Sequence, residues 1–503
     1  MRPAAQAVLL SGTFVQLMSV TVMQLAVPRI RHDLAAGSGA GQLALVGYTL
    51  TYACALITAA RLGDRFGYRR VFVTGTAVFT LASLAAAAAP DVGSLVAARL
   101  VQGAGSGLVA PQILSLIQTA VPADRRAGVL GRYGATMAVA SLAGPLCCGV
   151  LLHFDPLGLG WRLALALPVP VGVVSLALVR ILPGGRAPAD ASRVDPVGAA
   201  LSLTGLILLV LPLTLGQDAG WPAWTWASLA LGLGLLAAFA AAQRRVRDPL
   251  VRPEALSASR TRWGIGAVFL FNAGIPSFSL LLSLHLQGAL HRDPLVTALT
   301  VAPYAVGALL GSAVAEAAAR RFGAAALAAA SAGLAVVSLL VIPVLARPAP
   351  VLWAVLGGGG FAFGVFTASA FSLVLNRVPV SVASSVSGLL ATAQQLGGTL
   401  GVALAGVAYA AGALDAAMGY EAVVFLLAAA ATARLRKPAT ENPAGVGLRR
   451  RTAVVPAPGP RGVGDVERER LGACVGGGAV AEPAVGFGDE DGIGGDVRRK
   501  RLA

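Results

Sequence analysis

The sequence predicts an all-α membrane protein with 14 transmembrane helices, set out as two six-helix halves with an inserted helix pair between them. Three observations predict it. The 503 residues are 56% hydrophobic and only 12% charged, with mean hydropathy +0.76, where a soluble chain is about a quarter charged. The apolar residues fall into 14 runs, most near the roughly 20 residues that carry a helix across about 30 Å of hydrocarbon. Arginine concentrates in alternate loops, as topology requires when basic loops stay on the cytoplasmic side.

The first six runs lie near 8–28, 42–60, 71–89, 94–116, 128–152 and 161–182. A polar linker from Pro183 to Arg193 follows, then two runs near 197–215 and 224–242. An Arg-rich connector, Arg244 to Arg262, leads into runs near 263–286, 296–318, 323–345, 351–375, 384–411 and 419–434. The expected organisation is therefore an N-terminal half over 1–183, a linker and helix pair over 184–243, a connector and C-terminal half over 244–436, and a disordered tail over 437–503. The tail is rich in Gly, Pro, Arg and acids and has no apolar period. Its acidic run Asp489-Glu490-Asp491 and its basic end read as a solvated chain.

Loops assigned to the inside hold Arg65, Arg69, Arg70, Arg125, Arg126, Arg180, Arg186, Arg193, the arginines of the connector, Arg320, Arg321 and Arg377. Loops assigned to the outside are poorer in Arg and hold Asp91, Asp155, Asp218 and Asp415. Arg29 and Arg31 are the exception. Both termini are thus expected in the cytoplasm, with the chain in the plasma membrane and its first span uncleaved.

Several function classes recede. A net charge of +16 suggests nucleic acid in a soluble chain, but most of the Arg here is explained by topology. The four cysteines and four histidines have no metal or redox spacing. No nucleophile, metal or phosphate motif points to an enzyme, and no cofactor is expected. The expected partners are the lipid bilayer and a small-molecule substrate, with no nucleic acid, and the protein is expected to be a monomer.

The stretch Ala60-Arg61-Leu62-Gly63-Asp64-Arg65-Phe66-Gly67-Tyr68-Arg69-Arg70 carries one acid and four bases between two apolar runs. Gly63 and Gly67 suit tight turns and close helix approach. Asp64 can pair with a neighbouring Arg or cap the next helix. The stretch resembles the signature loop between helices two and three of the major facilitator superfamily, with Leu62, Asp64, Arg65, Gly67 and Arg69 matching; an ordinary stop-transfer loop is the other reading. Arg321-Phe322-Gly323 repeats Arg65-Phe66-Gly67 at the corresponding place in the last six spans. Repeated halves are how many transporters alternate access around a midplane site.

Arg99 lies inside the fourth apolar run, where an Arg costs roughly 2.5–3.5 kcal/mol on insertion scales. It faces a wet cavity or a partner, or else it snorkels from the end of the span. Its surroundings, Leu95 through Arg99, Gln102, Gly103 and Gly105, resemble the helix-four motif of superfamily antiporters, in which the Arg is linked to proton transfer. Gly144-Pro145-Leu146-Cys147-Cys148-Gly149 resembles the Gly-Pro-x-x-Gly-Gly motif of superfamily exporters; its Pro bends a helix and its small residues admit a second one. A structural kink alone is the alternative. Trp161-Arg162, Pro170-Val171-Gly172, Leu286-Gln287, Asp293-Pro294-Leu295 and Gln394 through Gly401 are similar to later passages of the fourteen-span drug/proton antiporters.

One departure stands out. In the first span that family usually has Asp-x-Thr-x-x-Asn-x-Ala-Leu-Pro. This chain reads Ser19-Val20-Thr21-Val22-Met23-Gln24-Leu25-Ala26-Val27-Pro28, with Ser19 where the carboxylate would be. Substitutes at hand are Glu316, read as a loop-edge charge, and Asp33 and Asp64 at membrane borders.

Helical period suggests a polar substrate path. Gln16, Ser19 and Gln24 lie on one side of the first span; Asn272, Ser279 and Ser283 share a face of the ninth; Ser369, Ser372 and Asn376 share one of the twelfth; Gln395, with Thr392 and Thr399, lies on the thirteenth. Interhelical hydrogen bonds are the other reading of such stripes, and for any single residue the stronger one. The resemblance implies export of small amphipathic compounds, as in drug or antibiotic efflux, by proton antiport. An uncoupled facilitator or importer, and a non-transporting membrane ligand sensor, remain open.

Overall fold

The computed structural model describes residues 3–184, 195–216, 218–246, 256, 258–345, 347–375, 378 and 380–435. The expected tail, Asn376, Arg377 and much of the linker and connector lie outside the described residues. Among those described there are helices and turns and no strand.

The helices follow the apolar runs. They are α1 (Pro3–Asp33), α2 (Ser38–Phe66), α3 (Tyr68–Ala87), α4 (Val92–Ala120), α5 (Ala123–Phe154), α6 (Gly160–Ala166), α7 (Pro168–Ala177), α8 (Pro196–Leu215) and α9 (Ala223–Ala242). The rest are α10 (Ser259–Leu284), α11 (Pro294–Phe322), α12 (Ala324–Val344), α13 (Ala349–Leu375) and α14 (Val380–Arg434). Among the described residues twelve helical segments are long and apolar enough to cross a membrane, with α6 and α7 entering as one and α14 as one.

One run differs from expectation. The sixth is not a single helix: it breaks before Pro168, which has no N–H to give to α6, and ends in a 3₁₀ turn at Val179–Ile181. The last two runs are two helices, as expected, that meet without a loop at Gly412 and Ala413, where Ala413 takes φ 52°; they are the two limbs of α14.

Lipid offers no hydrophobic drive between helices, so packing rests on small residues that let backbones meet. A Cβ on Gly103 of α4 would lie 2.1 Å from the Tyr48 carbonyl oxygen of α2. A Cβ on Gly360 of α13 would lie 1.8 Å from the Tyr304 carbonyl oxygen of α11. Tyr48 and Tyr304 stand at the same distance before the two Arg-Phe-Gly turns, so the sequence repeat is a packing repeat. Gly67 and Gly323 turn the chain at φ 90° and 53°, a region open to glycine at no steric cost. The same close approach joins α10 to α14, through Gly397 and Gly401 against the Phe269 and Ala273 carbonyls.

The pair α8–α9 packs on α2 and α14. Asp218, after α8, accepts from Ser38 Oγ at 2.5 Å and from Gly39 N at 2.8 Å. Asp195 caps α8 by accepting from Gly198 N, and it accepts from Gln243 Nε2 at 2.9 Å, which ties the other end of the hairpin. Large apolar side chains point outward from many helices, among them Leu81, Leu231 and Leu310, the surface a bilayer covers.

Candidate functional site

Arg99 is fully buried within the bundle. It does not snorkel toward the start of α4. Its Nε donates to the Ala44 carbonyl at 3.1 Å, and its Nη1 donates to Ser19 Oγ at 2.7 Å and to Gln102 Oε1 at 2.6 Å. The guanidinium lies over the Tyr48 ring, 4.5 Å from its centroid, a cation–π contact that strengthens on desolvation. Nη2 is buried without a hydrogen-bond partner. Among the described residues no carboxylate pairs with Arg99.

The network extends over four helices. Gln102 Nε2 donates to Ser83 Oγ of α3 at 2.6 Å. The Tyr48 hydroxyl and Ser106 Oγ are hydrogen-bonded at 2.5 Å, and Gln16 Nε2 donates to the Ser106 carbonyl at 3.2 Å. Helical spacing explains the gathering: Arg99, Gln102 and Ser106 fall on one face of α4, with Gln16 and Ser19 on the facing side of α1. Ser19 thus meets Arg99 directly, at the place where the antiporter pattern has an acid.

The turn 60–70 is arranged differently from expectation. Asp64 accepts from the Tyr68 hydroxyl at 2.9 Å. It does not cap α3, whose cap position is Gly67 with no side-chain hydrogen bond, because Asp64 is still inside the last turn of α2. Arg65 lies over the Phe66 ring, and Arg65 is exposed while Arg69 is half-buried.

Gly144 lets α5 meet α1, since a Cβ there would lie 2.1 Å from Thr21 Oγ1. Pro145 lies in the same helix, and the Cys148 thiol donates to the Val22 carbonyl. Trp161 Nε1 donates to Asp33 Oδ2 at 3.0 Å, and Arg162 Nη1 donates to the Ala87 and Ala89 carbonyls that end α3. Arg29, an exception to the charge pattern, contacts Asp33 at 3.1 Å and Asp155 at 2.9 Å. Those two acids offset its charge locally.

The expected substrate path is not one surface. Gln24 Nε2 donates to the Pro276 carbonyl at 3.4 Å. Asn272 Nδ2 donates to the Val268 carbonyl, and Ser283 Oγ accepts from Gln287 Nε2. Ser369 Oγ donates to the Ala315 and Val365 carbonyls, which fixes α13 on α11. Ser372 donates to the Ser369 carbonyl and is exposed. Ser279 and Gln395 are half-buried, and the Gln395 carbonyl accepts from Thr399, which in turn meets Thr49 at 2.9 Å. Asn376 lies outside the described residues. Backbone hydrogen bonds therefore account for Asn272, Ser369 and Ser372. Two cavities of about 350 and 290 Å³ lie beside Arg31, Leu284 and Tyr409 instead, and no expected substrate residue lines them.

Helices α1–α5 meet α10–α14 through several contacts at one end of the bundle. Gln287 Nε2 donates to the Leu25 carbonyl, His153 Nδ1 lies 2.9 Å from Asp293 Oδ2, Gln42 fits against Gly406, and Gly149 against Ala298. Partial burial pushes the Asp293 carboxyl up, but the His153 contact and the N–H groups of Leu295 and Val296 outweigh it and hold the group below its usual value.

Among the acids, one group is absent from the sequence-level substitutes. Glu421 is fully buried in the second limb of α14, and neither carboxyl oxygen has a hydrogen-bond partner. A run taken to start at 419 puts it at a membrane border; the limb begins at Leu414, so the residue is well inside. Its signal in sequence is a lone acid in the apolar run from Ala416 to Ala433, past the turn that explains Asp415. Glu316, by contrast, is exposed and pairs with Arg320 at 2.9 Å.

A sequence model of the Major Facilitator Superfamily matches residues 9–242. The chain is 36% identical over 422 residues to the probable actinorhodin transporter of Streptomyces coelicolor, covering 81% of this chain and 72% of that protein. It is 32% identical over 411 residues to the puromycin resistance protein of Streptomyces alboniger, covering 79% and 80%. It is 33% identical over 404 residues to the cephamycin export protein of Amycolatopsis lactamdurans, covering 78% and 82%. Among solved structures, a peptide transporter in complex with sulfate aligns with TM-score 0.64 at 17% identity, over 86% of this chain and 94% of that one. The D-xylose-proton symporter aligns with TM-score 0.62 at 14% identity, over 85% and 96%. With its helices, its repeated turn and these relatives together, the chain belongs to the major facilitator superfamily.

Proposed function

We propose that the protein exports small amphipathic organic compounds across the plasma membrane in exchange for protons. The observation that carries the reading is Arg99, buried among hydrogen-bond acceptors with no counter-charge among the described residues. An ionisable group held inside a membrane is a functional group by default. Relatives named for the export of, or resistance to, actinorhodin, puromycin and cephamycin support the direction and the class of cargo.

In this reading α2 and both limbs of α14 also cross the membrane, which gives 14 crossings with both termini in the cytoplasm. Helices α1–α7 and α10–α14 form two rocking halves, and α8–α9 is the inserted pair. The contacts around His153–Asp293 and Gln42–Gly406 lie at the outer end, so this conformation is closed to the outside. Arg99 and Gln102 tune the proton step, Asp64, Arg65, Gly67 and Arg69 latch the halves in one state, and Gly144 and Pro145 supply a bend. Ser279 and Gln395 are the polar groups left to meet cargo in this conformation, and Gln16, Ser19, Gln24 and Ser283 meet it by exchanging the hydrogen bonds described above. One proton moving down 100 mV yields about 2.3 kcal/mol, enough for a gradient of roughly 50-fold in a neutral cargo.

The test is efflux of actinorhodin, puromycin and ethidium from cells expressing the chain, with and without a protonophore, beside Arg99→Ala. Export stopped by the protonophore and by the substitution supports antiport. Export indifferent to the protonophore identifies an uncoupled carrier, which the serine at position 19 favours.

A further inference from the structure

We propose that Glu421 is the proton-exchanging carboxyl of this transporter, opened and closed to water by bending of α10 at Pro276. The assignment rests on the antiport reading and names the group that reading lacks.

Glu421 is fully buried and lies about 12 Å along its limb from the turn at Gly412 and Ala413. Other described acids sit at helix ends or turns and have a cation or a hydrogen-bond donor beside them: Asp33 with Arg29, Asp64 with Tyr68, Asp195 with Gln243, Asp293 with His153, Glu316 with Arg320. Both Glu421 oxygens lack a hydrogen-bond partner. Ser277 of α10 stands beside the carboxyl, but its single hydroxyl proton is already directed to the Ala273 and Gly274 carbonyls at 2.8 and 3.1 Å. A charged carboxylate here meets no cation among the described residues and receives no hydrogen bond in this conformation, so the site as it stands accommodates the acid form. Release of the proton requires the site to change.

The space around the carboxyl is built for it. A Cβ on Gly274 would lie 2.7 Å from Glu421 Oε2 and 2.4 Å from Phe425 Cζ, so only glycine admits this side chain. The ionisable side chains in electrostatic reach are Tyr304 on α11 and Tyr420 on α14. Beyond Arg262, α10 carries no other charge until His285, past its end, and α12 and α13 carry no ionisable side chain. The Tyr304 hydroxyl is also buried without a partner.

The wall that faces Glu421 is also the one able to move. Pro276 gives no N–H to the Asn272 carbonyl, which removes a helix hydrogen bond within a turn of Gly274 and Ser277. The helix then loosens into a π turn at His285–Ala289, a feature that recurs at functional sites. Bending of α10 draws Gly274 and Ser277 away from the carboxyl and admits water. The proton taken up by the carboxylate from outside leaves the same oxygen toward the cytoplasm, with no other bond made or broken.

Two measurements test this on the full-length protein. The first is infrared spectroscopy of purified wild type, Glu421→Gln and Glu421→Asp in detergent, titrated from acid to alkaline buffer. The wild type is expected to lose a carboxylic-acid C=O band reversibly as pH rises; Glu421→Gln lacks that band and Glu421→Asp displaces it. Superimposable wild-type and Glu421→Gln titrations overturn the assignment whatever the cargo. The second is ethidium transport in proteoliposomes. Glu421→Gln is expected to lower accumulation driven by a pH gradient about tenfold while downhill equilibration persists, and Glu421→Asp to restore part of it. If wild type obeys a protonophore and Glu421→Gln obeys it equally, antiport stands and Glu421 is excluded. If wild type itself ignores the protonophore, the antiport reading falls, and the Glu421 assignment with it.

Discussion

Two regions of this molecule share one scaffold and differ in what fills it. Where α2 meets α4, Gly103 lies against the Tyr48 carbonyl; where α11 meets α13, Gly360 lies against the Tyr304 carbonyl. Four residues before each glycine the chain carries Arg99 in one region and Leu356 in the other, both fully buried. The first tyrosine therefore neighbours a hydrogen-bonded cation, and the second stands within reach of Glu421, supplied by another helix. Backbone contact is what the repeat preserves. The ionisable groups break the symmetry, and the antiport proposed above has a use for two unlike polar centres.

The shared scaffold can be broken on both sides at once. Gly103→Ala and Gly360→Ala each push a methyl against a carbonyl oxygen fixed in a helix, at 2.1 and 1.8 Å. Overpacking costs about 1–3 kcal/mol even where side chains can yield, and here backbone must move. Both variants are expected to lose the monodisperse peak in detergent gel filtration, while Gly358→Ala, which meets open space, keeps it. A tolerated Gly360→Ala would show that the second region is packed less tightly than the first.

Arg99→Leu makes the first region imitate the second. Replacing a buried charge with an apolar residue of suitable volume is often neutral for stability. The melting temperature is therefore expected to stay close to wild type, while efflux falls about a hundredfold or more, near 3 kcal/mol of lost function. Retained efflux would reduce Arg99 to a packing residue.

Ser19→Asp makes the opposite change. It places a carboxylate where Ser19 Oγ now accepts from Nη1 at 2.7 Å, within reach of the unpartnered Nη2. Charge-assisted hydrogen bonds contribute about 1.5–3 kcal/mol, so a higher melting temperature is expected, lost again in Ser19→Asp combined with Arg99→Leu. No gain would mean that Nη2 is already satisfied by water.

Much of this was legible in the sequence. The apolar runs placed the helices because bilayer thickness sets their length, and the Arg-Phe-Gly repeat marked equivalent turns because glycine there adopts positive φ. Arg99 was legible because a charge inside an apolar run is conspicuous. Glu421 escaped because its distance from the run's edge decides its meaning, and that edge is set by the Gly412–Ala413 break rather than by hydropathy. The substrate stripes misled at Asn272, Ser369 and Ser372, since a hydroxyl or amide on a helix can satisfy itself on the backbone one turn away. Sequence period cannot separate that from a side chain aimed at cargo.

The smallest test separates the two tyrosines themselves. The Tyr48 hydroxyl is bonded to Ser106, and Tyr48→Phe leaves that serine buried without its partner. The expected cost is about 1 kcal/mol. The Tyr304 hydroxyl has no partner in the conformation described, so Tyr304→Phe removes a buried polar group that was not paired, and the melting temperature is expected to hold or rise slightly. If Tyr304→Phe instead lowers it as much as Tyr48→Phe does, the hydroxyl is bonded in solution, and Glu421 is the acceptor within electrostatic reach. Its consequence for transport then follows from the same pair: a tyrosine that donates to Glu421 only when the carboxyl is deprotonated would slow gradient-driven efflux when replaced by Phe and leave Tyr48→Phe unaffected in that respect.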